Sequence, residues 1–375
     1  MRKVLCILII SFLIIFTSCA SQENGGNTRQ TDGSDKVPVS QIWDEYEEMQ
    51  GADLGVIKLP ESISPATGNE YYSFTLSPYE QRDYEDDSKN FFKAFFGESY
   101  SDSFVHKTDA ASFEYEDENG GTSYFVNGIP VNYYNAERVF TGGSITQVIK
   151  RLTNEDTNEV LELEGGSCTV EELCSGLGEL IAKAFYPLYD GFEIYPKYII
   201  LVSDREQKKS AEVTCALRYK GVEMQCLFSS LFEEHSESDH ESVTSYTPSN
   251  MVFYMESKDS ILMYSNRAAI GEVKEERLTE LIPLSAAAEL LKAELAPGHK
   301  YEIETVELQY CHKATSPVLT NDSEENSRLI ESYRSKGASP FVPTWCFGWT
   351  AETENGLENK YIKVNAVTGE ITMDM

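Results

Sequence analysis

Hydrophobic positions along this chain switch between helical and alternating spacing, and each return to helical spacing opens a new round. In the first round Tyr84, Ser88, Phe91, Phe92, Phe95 and Phe96 recur at helical spacing, and Gly97 stands where a C-terminal cap belongs. A phenylalanine stripe of this kind predicts a helix face buried in a core. Residues 112–116 and 122–126 then alternate as strands. Asn127-Gly128 is a two-residue hairpin signal leading into Ile129-Pro130-Val131.

The second round starts with a T-x-x-E capping box, Thr169 to Glu172. Val170, Leu173, Cys174, Leu177, Leu180, Ile181, Ala184 and Phe185 keep one helix face apolar as far as Pro187. Strands follow at residues 198–202, 211–219 and 222–227, a charged loop interrupts at 233–241, and the sheet resumes at 251–256 and 261–264. In the third round Ser285 is the expected N-cap of a helix that Pro297-Gly298 stops. Tyr301 and Ile303 share a strand face, with Val306, Leu308 and Tyr310 out of phase, which predicts a bulge near Glu304-Thr305. Trp345, Phe347 and Trp349 then alternate on one strand, and residues 361–366 return after Asn355-Gly356. Helix-then-meander occurs three times. The expected class is α+β, built of repeated helix plus antiparallel β-meander modules with the helices on one face. The expected domains are an N-terminal one at residues 46–165, a middle one at 166–282 and a C-terminal one at 283–375.

The N-terminus adds a location. Arg2 and Lys3 precede an apolar run at residues 4–16, broken only by Ser11, and Thr17-Ser18-Cys19 follows. That order is a secretory signal, and its end resembles the lipobox of bacterial lipoproteins, although Phe16 stands where leucine is usual. The resemblance implies that residues 1–18 are a signal peptide and that Cys19 becomes the lipid-bearing N-terminus on the extracytoplasmic face of the cell membrane. The competing reading is an uncleaved anchor, but a spanning helix takes about 20 apolar residues and this run is shorter. Residues 19–45, rich in Gly, Asn, Ser, Thr and Asp, read largely as a flexible tether.

Charge narrows the partners. With 62 acidic residues against 31 basic ones the chain carries a formal net charge of −31. Such a field repels phosphate polymers, so nucleic acid is not an expected partner. Cys168, Cys174, Cys215, Cys226, Cys311 and Cys346 follow the signal region, an even count that permits disulfides outside the cell. If Lys220-Gly221 is a two-residue turn, Cys215 falls opposite Cys226, at a spacing borderline for a disulfide; two buried thiols are the alternative.

Pro343-Thr344-Trp345, a turn, and then residues 360–371 (KYIKVNAVTGEI) resemble the closing hairpin of PepSY-like domains. The ending is most similar to that of the extracytoplasmic YycH/YycI-type regulators of two-component systems. The resemblance covers residues 283–375. It implies a PepSY-like C-terminal domain without catalysis, which binds another envelope protein or restrains an enzyme or sensor kinase. The lipobox stands where those regulators keep a transmembrane helix.

Catalytic motifs are missing. The chain has no H-E-x-x-H, G-x-S-x-G, G-x-x-x-x-G-K-[ST] or G-x-G-x-x-G, and no catalytic residue or cofactor is implied. His235 and His240, among Glu233, Glu234, Glu237, Asp239 and Glu241, are the residues whose types suit a metal; a solvated acidic loop is the competing reading. The sequence therefore predicts a non-enzymatic, lipid-anchored envelope protein that binds a protein partner, with a solute- or metal-binding lipoprotein as the alternative.

Overall fold

Strand pairing across the whole chain, and not its three local rounds, decides the architecture. The computed structural model describes residues 36–375 apart from 78–83, 109–111, 118–119, 127, 136–146, 190, 205, 226–229, 232–243, 246–250, 267–271, 296–297, 313–339, 354–355 and 375. Among the described residues sixteen strands join in one sheet. They are β1 (Tyr71–Ser77), β2 (Val105–Lys107), β3 (Ser112–Glu116), β4 (Gly121–Val126), β5 (Ile129–Asn135), β6 (Gln147–Thr153), β7 (Phe192–Ser203) and β8 (Lys209–Tyr219). The chain continues with β9 (Val222–Met224), β10 (Met251–Ser257), β11 (Ser260–Asn266), β12 (Glu272–Leu278), β13 (Thr305–His312), β14 (Phe341–Thr353), β15 (Gly356–Asn365) and β16 (Ile371–Asp374). Their order is β12-β1-β14-β13-β9-β8-β10-β11-β5-β4-β3-β2, with β7 and then β6 beside β8, and β15 and then β16 beside β14.

The expected α+β class of repeated helix-plus-meander modules is therefore wrong. The protein is mostly β, with one large sheet and four short α-helices among the described residues: α1 (Tyr46–Met49), α2 (Glu85–Phe96), α3 (Val170–Leu180) and α4 (Leu284–Glu294). The reason is non-local pairing. Strand β1 from the first predicted domain pairs along its length with β12 from the second, and Phe74 of β1 faces Phe341 of β14 from the third. Interleaved strands share one sheet across the expected boundaries at 165/166 and 282/283.

Local signals fare better than the architecture. The capping box is present: the Thr169 N–H donates to Glu172 Oε2 at 2.8 Å, and the Glu172 N–H donates to Thr169 Oγ1 at 3.1 Å. The phenylalanine stripe of α2 is core, with Phe91 and Phe92 buried and their rings 5.3 Å from those of Phe185 and Tyr115. Lys220 and Gly221 both take positive φ, +48° and +81°, as a two-residue turn demands, and Tyr219 faces Val222 across it. Two details differ. Helix α4 starts at Leu284 with Pro283 at the N-cap position, two residues before the expected cap at Ser285. The phase slip near Glu304 is a change of partner rather than a bulge, since Tyr301–Glu302 pairs in parallel with Ile57–Lys58 while Thr305–His312 pairs with β14.

The C-terminal hairpin forms between β14 and β15, with Trp345 opposite Val364 and Thr353 opposite Gly356, so Gly356 belongs to the returning strand. Asn365 Oδ1 accepts from the N–H groups of Val367 and Thr368, and Gly369 at φ +75° completes the turn into β16. Trp345 and Phe347 are fully buried, and Trp349 is half-buried with its ring 5.5 Å from that of Tyr301. The Trp345 indole donates to the Ile282 carbonyl at 2.8 Å and meets the Trp43 ring edge-on at 4.8 Å. Residues near position 40, the approach to α4 and the central strand β14 are thus tied through one side chain.

Candidate functional site

Alternation along β8 separates two faces. Ala211, Val213, Cys215, Leu217 and Tyr219 point into the aromatic core with α2 and α3, whereas Ser210, Glu212, Thr214 and Arg218 point to the other side. On that second side lies the most heavily buried ion pair among the described residues. Tyr195 faces Ala216, Pro196 faces Cys215, and the next paired residue of β7 is Tyr198, facing Thr214, so Lys197 is the extra residue of a bulge. A bulge re-aims a side chain. The proline is tolerated because β6 begins its pairing with β7 only at Tyr198.

Released from the ladder, Lys197 reaches across the face. Its Nζ lies 2.7 Å from Glu223 Oε1 on β9 and 3.4 Å from Glu307 Oε1 on β13. Gln309, opposite Glu223 in the parallel β9–β13 pair, donates from Nε2 to Glu223 Oε1 at 3.0 Å and to Glu307 Oε2 at 2.5 Å. The Tyr195 hydroxyl donates to Glu223 Oε2, and the Arg218 guanidinium covers the Tyr195 ring at 3.6 Å. The Lys197 and Glu223 side chains are only 13% and 12% exposed.

One ammonium here faces two carboxylates, and the titration directions follow. Burial is the largest influence on Glu223 and pushes its carboxyl above the usual range; the Glu307 charge adds to this, against the pull of Lys197. Burial pulls Lys197 down, but Glu223 and Glu307 together hold it well above the usual lysine value.

Further along the same face Glu212 sits opposite Tyr254 and is hydrogen-bonded to it. Glu212 is 3% exposed, its Oε2 has no partner, and neither do Ser210 Oγ and Thr214 Oγ1 on the same strand. Burial raises its carboxyl more than the Tyr254 bond lowers it. A carboxyl raised in the folded state contributes stability that is fully present below its ordinary value and is lost as pH rises through the folded value. Glu212→Gln is therefore expected to gain stability relative to the wild type as pH is raised from 4.5 to 8. Urea midpoints of the two proteins at both pH values check this, and parallel pH curves would contradict it.

The helix side carries a different feature. A cavity of about 750 Å³ opens between the end of α2, helix α3 and the β10–β11 turn. Phe95, Phe96 and Tyr133 form one wall, with ring centroids 5.0 to 5.5 Å apart, and Glu179, Lys183 and Lys258 are at its rim. On another side α3 packs closely on the β10–β11 turn, because a Cβ at Gly176 of α3 would lie 2.3 Å from the Lys258 carbonyl oxygen.

Sequence reasoning named other residues. Cys19, Cys226, His235 and His240 lie outside the described residues. Cys215 is a free, fully buried thiol whose two lateral neighbours are Pro196 and Met251, because β10 replaces β9 beside β8 at that point; the hairpin pairs in the register of the two-residue turn only as far as Leu217 opposite Met224. Among the described residues no group of three or more His, Cys, Asp and Glu side chains is arranged to hold a metal. The Lys197 cluster was missed altogether. Tyr195-Pro196-Lys197, a proline inside a strand, was the available signal for the bulge. No family model matches the chain, and no curated protein matches it significantly. The likeness to PepSY-like and YycH/YycI-type proteins rests on the hairpin residues alone.

Proposed function

We propose that the protein is a non-enzymatic envelope protein, held at the extracytoplasmic membrane face by lipid on Cys19, whose β-rich body binds a protein partner. The task that fits is regulation of a signalling or envelope-maintenance system. One observation carries the reading: Cys168, Cys174, Cys215 and Lys197 are tuned away from the role of nucleophile. Burial pushes Cys174 up to about 11 and raises Cys168 and Cys215, leaving little thiolate near neutral pH. Lys197 is held well above its ordinary value, whereas a lysine nucleophile needs the opposite shift. The buried Lys197 cluster is satisfied by its own members. The signal-like residues 1–19 and the PepSY-like ending support the same reading, and the strong acidity argues against a nucleic-acid partner. Crosslinking in intact cells followed by affinity capture is expected to recover a specific envelope protein or sensor kinase; recovery at background level counts against it. Cys19→Ala is expected to release the protein from the membrane fraction.

The second reading, a solute-binding lipoprotein, has the aromatic-walled cavity in its favour. Thermal-shift screening against small solutes and divalent ions separates the two. Specific stabilisation reversed by Phe96→Ser favours the solute, and none removes this reading.

A further inference from the structure

Two thiols lie beside the charge cluster, on β13 and β14. We propose that Cys311 and Cys346 are a cross-linking site that closes to a disulfide. Their sulfurs are 3.5 Å apart, and the two residues are 6% and 1% exposed. The contact is not a trivial consequence of the ladder. Cys346 is opposite Glu307 and Cys311 is opposite Val342, four rungs away, roughly 13 Å in a flat pair. The strands must bend sharply towards this face to bring the sulfurs together. Cys346 Sγ leans back along β14 to within 3.7 Å of the Thr344 carbonyl oxygen, towards Cys311. Closing to a bond of about 2.05 Å takes a further approach of about 1.5 Å.

Surroundings favour Cys311 as the first thiol to react. It is the more exposed of the two; in the thiol form its S–H donates to Gln225 Oε1 at 3.0 Å. Cys346 is held protonated by its contact with Cys311 and by burial. The oxidant is a protein or low-molecular-weight disulfide, of the kind met by proteins outside the cytoplasm. The Cys311 thiolate attacks one of its sulfurs and expels one thiolate, giving a mixed disulfide. The Cys346 thiolate then attacks the Cys311 sulfur and expels the second. Two S–H bonds and the external S–S bond are lost, and one internal S–S bond and two external S–H bonds form. Two electrons pass from the protein thiols to the oxidant. The bond joins residues 35 apart and pins the bend that carries Glu307 and Gln309.

The chemistry does not depend on the proposed location, so it is tested on the purified full chain. The protein is refolded in glutathione and glutathione disulfide, quenched with alkylating agent, digested without reductant and mapped by mass spectrometry. A linked pair of peptides containing Cys311 and Cys346, lighter by two hydrogens than the free pair, is the expected result. In Cys311→Ser the thiol of Cys346 is expected to become quantitatively alkylated while the other cysteines keep their wild-type pattern. Wild type is expected to melt lower after reduction, and Cys311→Ala/Cys346→Ala to melt alike with and without reductant. Full alkylation of both cysteines in refolded wild type, or linkage of either to a different cysteine, overturns the proposal.

Discussion

Trp345→Ala is expected to lower unfolding stability by about 3–5 kcal/mol, the range for removing a fully buried tryptophan. The side chain is 0% exposed, and it is the largest of the fully buried ones among the described residues. Truncation opens a cavity against Trp43 and leaves the Ile282 carbonyl without its indole donor. Neighbouring groups cannot readily collapse into the space. The Ile282 N–H is held by the Ala366 carbonyl and the Ala366 N–H by the Pro343 carbonyl, which fixes the backbone on both sides of the ring. Trp345→Phe separates the contributions, because it keeps an aromatic ring but not the donor, and is expected to cost about 1–3 kcal/mol. Urea unfolding of the two variants measures both. A loss below about 1 kcal/mol for alanine would mean that β14 is not the tie between the N-terminal and C-terminal parts of the chain.

The contrast between Trp345 and Lys197 shows what the sequence made legible. Trp345, Phe347 and Trp349 announce a strand by alternation, and the strand that returns beside them is close in sequence, so the hairpin itself could be read, though its register is two residues from the one an Asn355-Gly356 turn would set. The capping box at Thr169 and the Lys220-Gly221 turn were readable for the same reason: their chemistry is complete within a few residues. Strand β1 was not placed, because nothing within residues 71–77 states that β12 is its partner some two hundred positions later. Three local rounds therefore looked like three modules, whereas burial of the apolar strand faces is satisfied by one sheet. The Lys197 cluster has the same character in sharper form. Its members come from β7, β9 and β13, and in a chain with 62 acidic residues neither Glu223 nor Glu307 stands out. Only the bulge at Pro196-Lys197 had a local signature.

Lys197→Met tests whether that cluster is as desolvated as its burial implies. Removing one partner of a buried pair leaves an uncompensated charge, typically worth about 3–5 kcal/mol, whereas removing both can be close to neutral. The methionine variant is therefore expected to lose stability in this range at pH 8, and Lys197→Met/Glu223→Gln to lose markedly less. Acid should rescue the single variant. Glu223 already binds its proton above the usual carboxylate range, and loss of the ammonium moves it further up. Its contribution to stability is present when protonated and lost as pH rises through the folded value, so the deficit of Lys197→Met should shrink between pH 8 and pH 5. Equal deficits at both pH values, with no recovery in the double variant, would mean that water reaches the pair and that its burial has no energetic consequence. The folded double variant also separates two roles for this face. Partner capture that survives in it makes the cluster a brace between β7, β9 and β13; capture that fails while stability is retained makes Lys197 and Glu223 part of the surface the partner recognises.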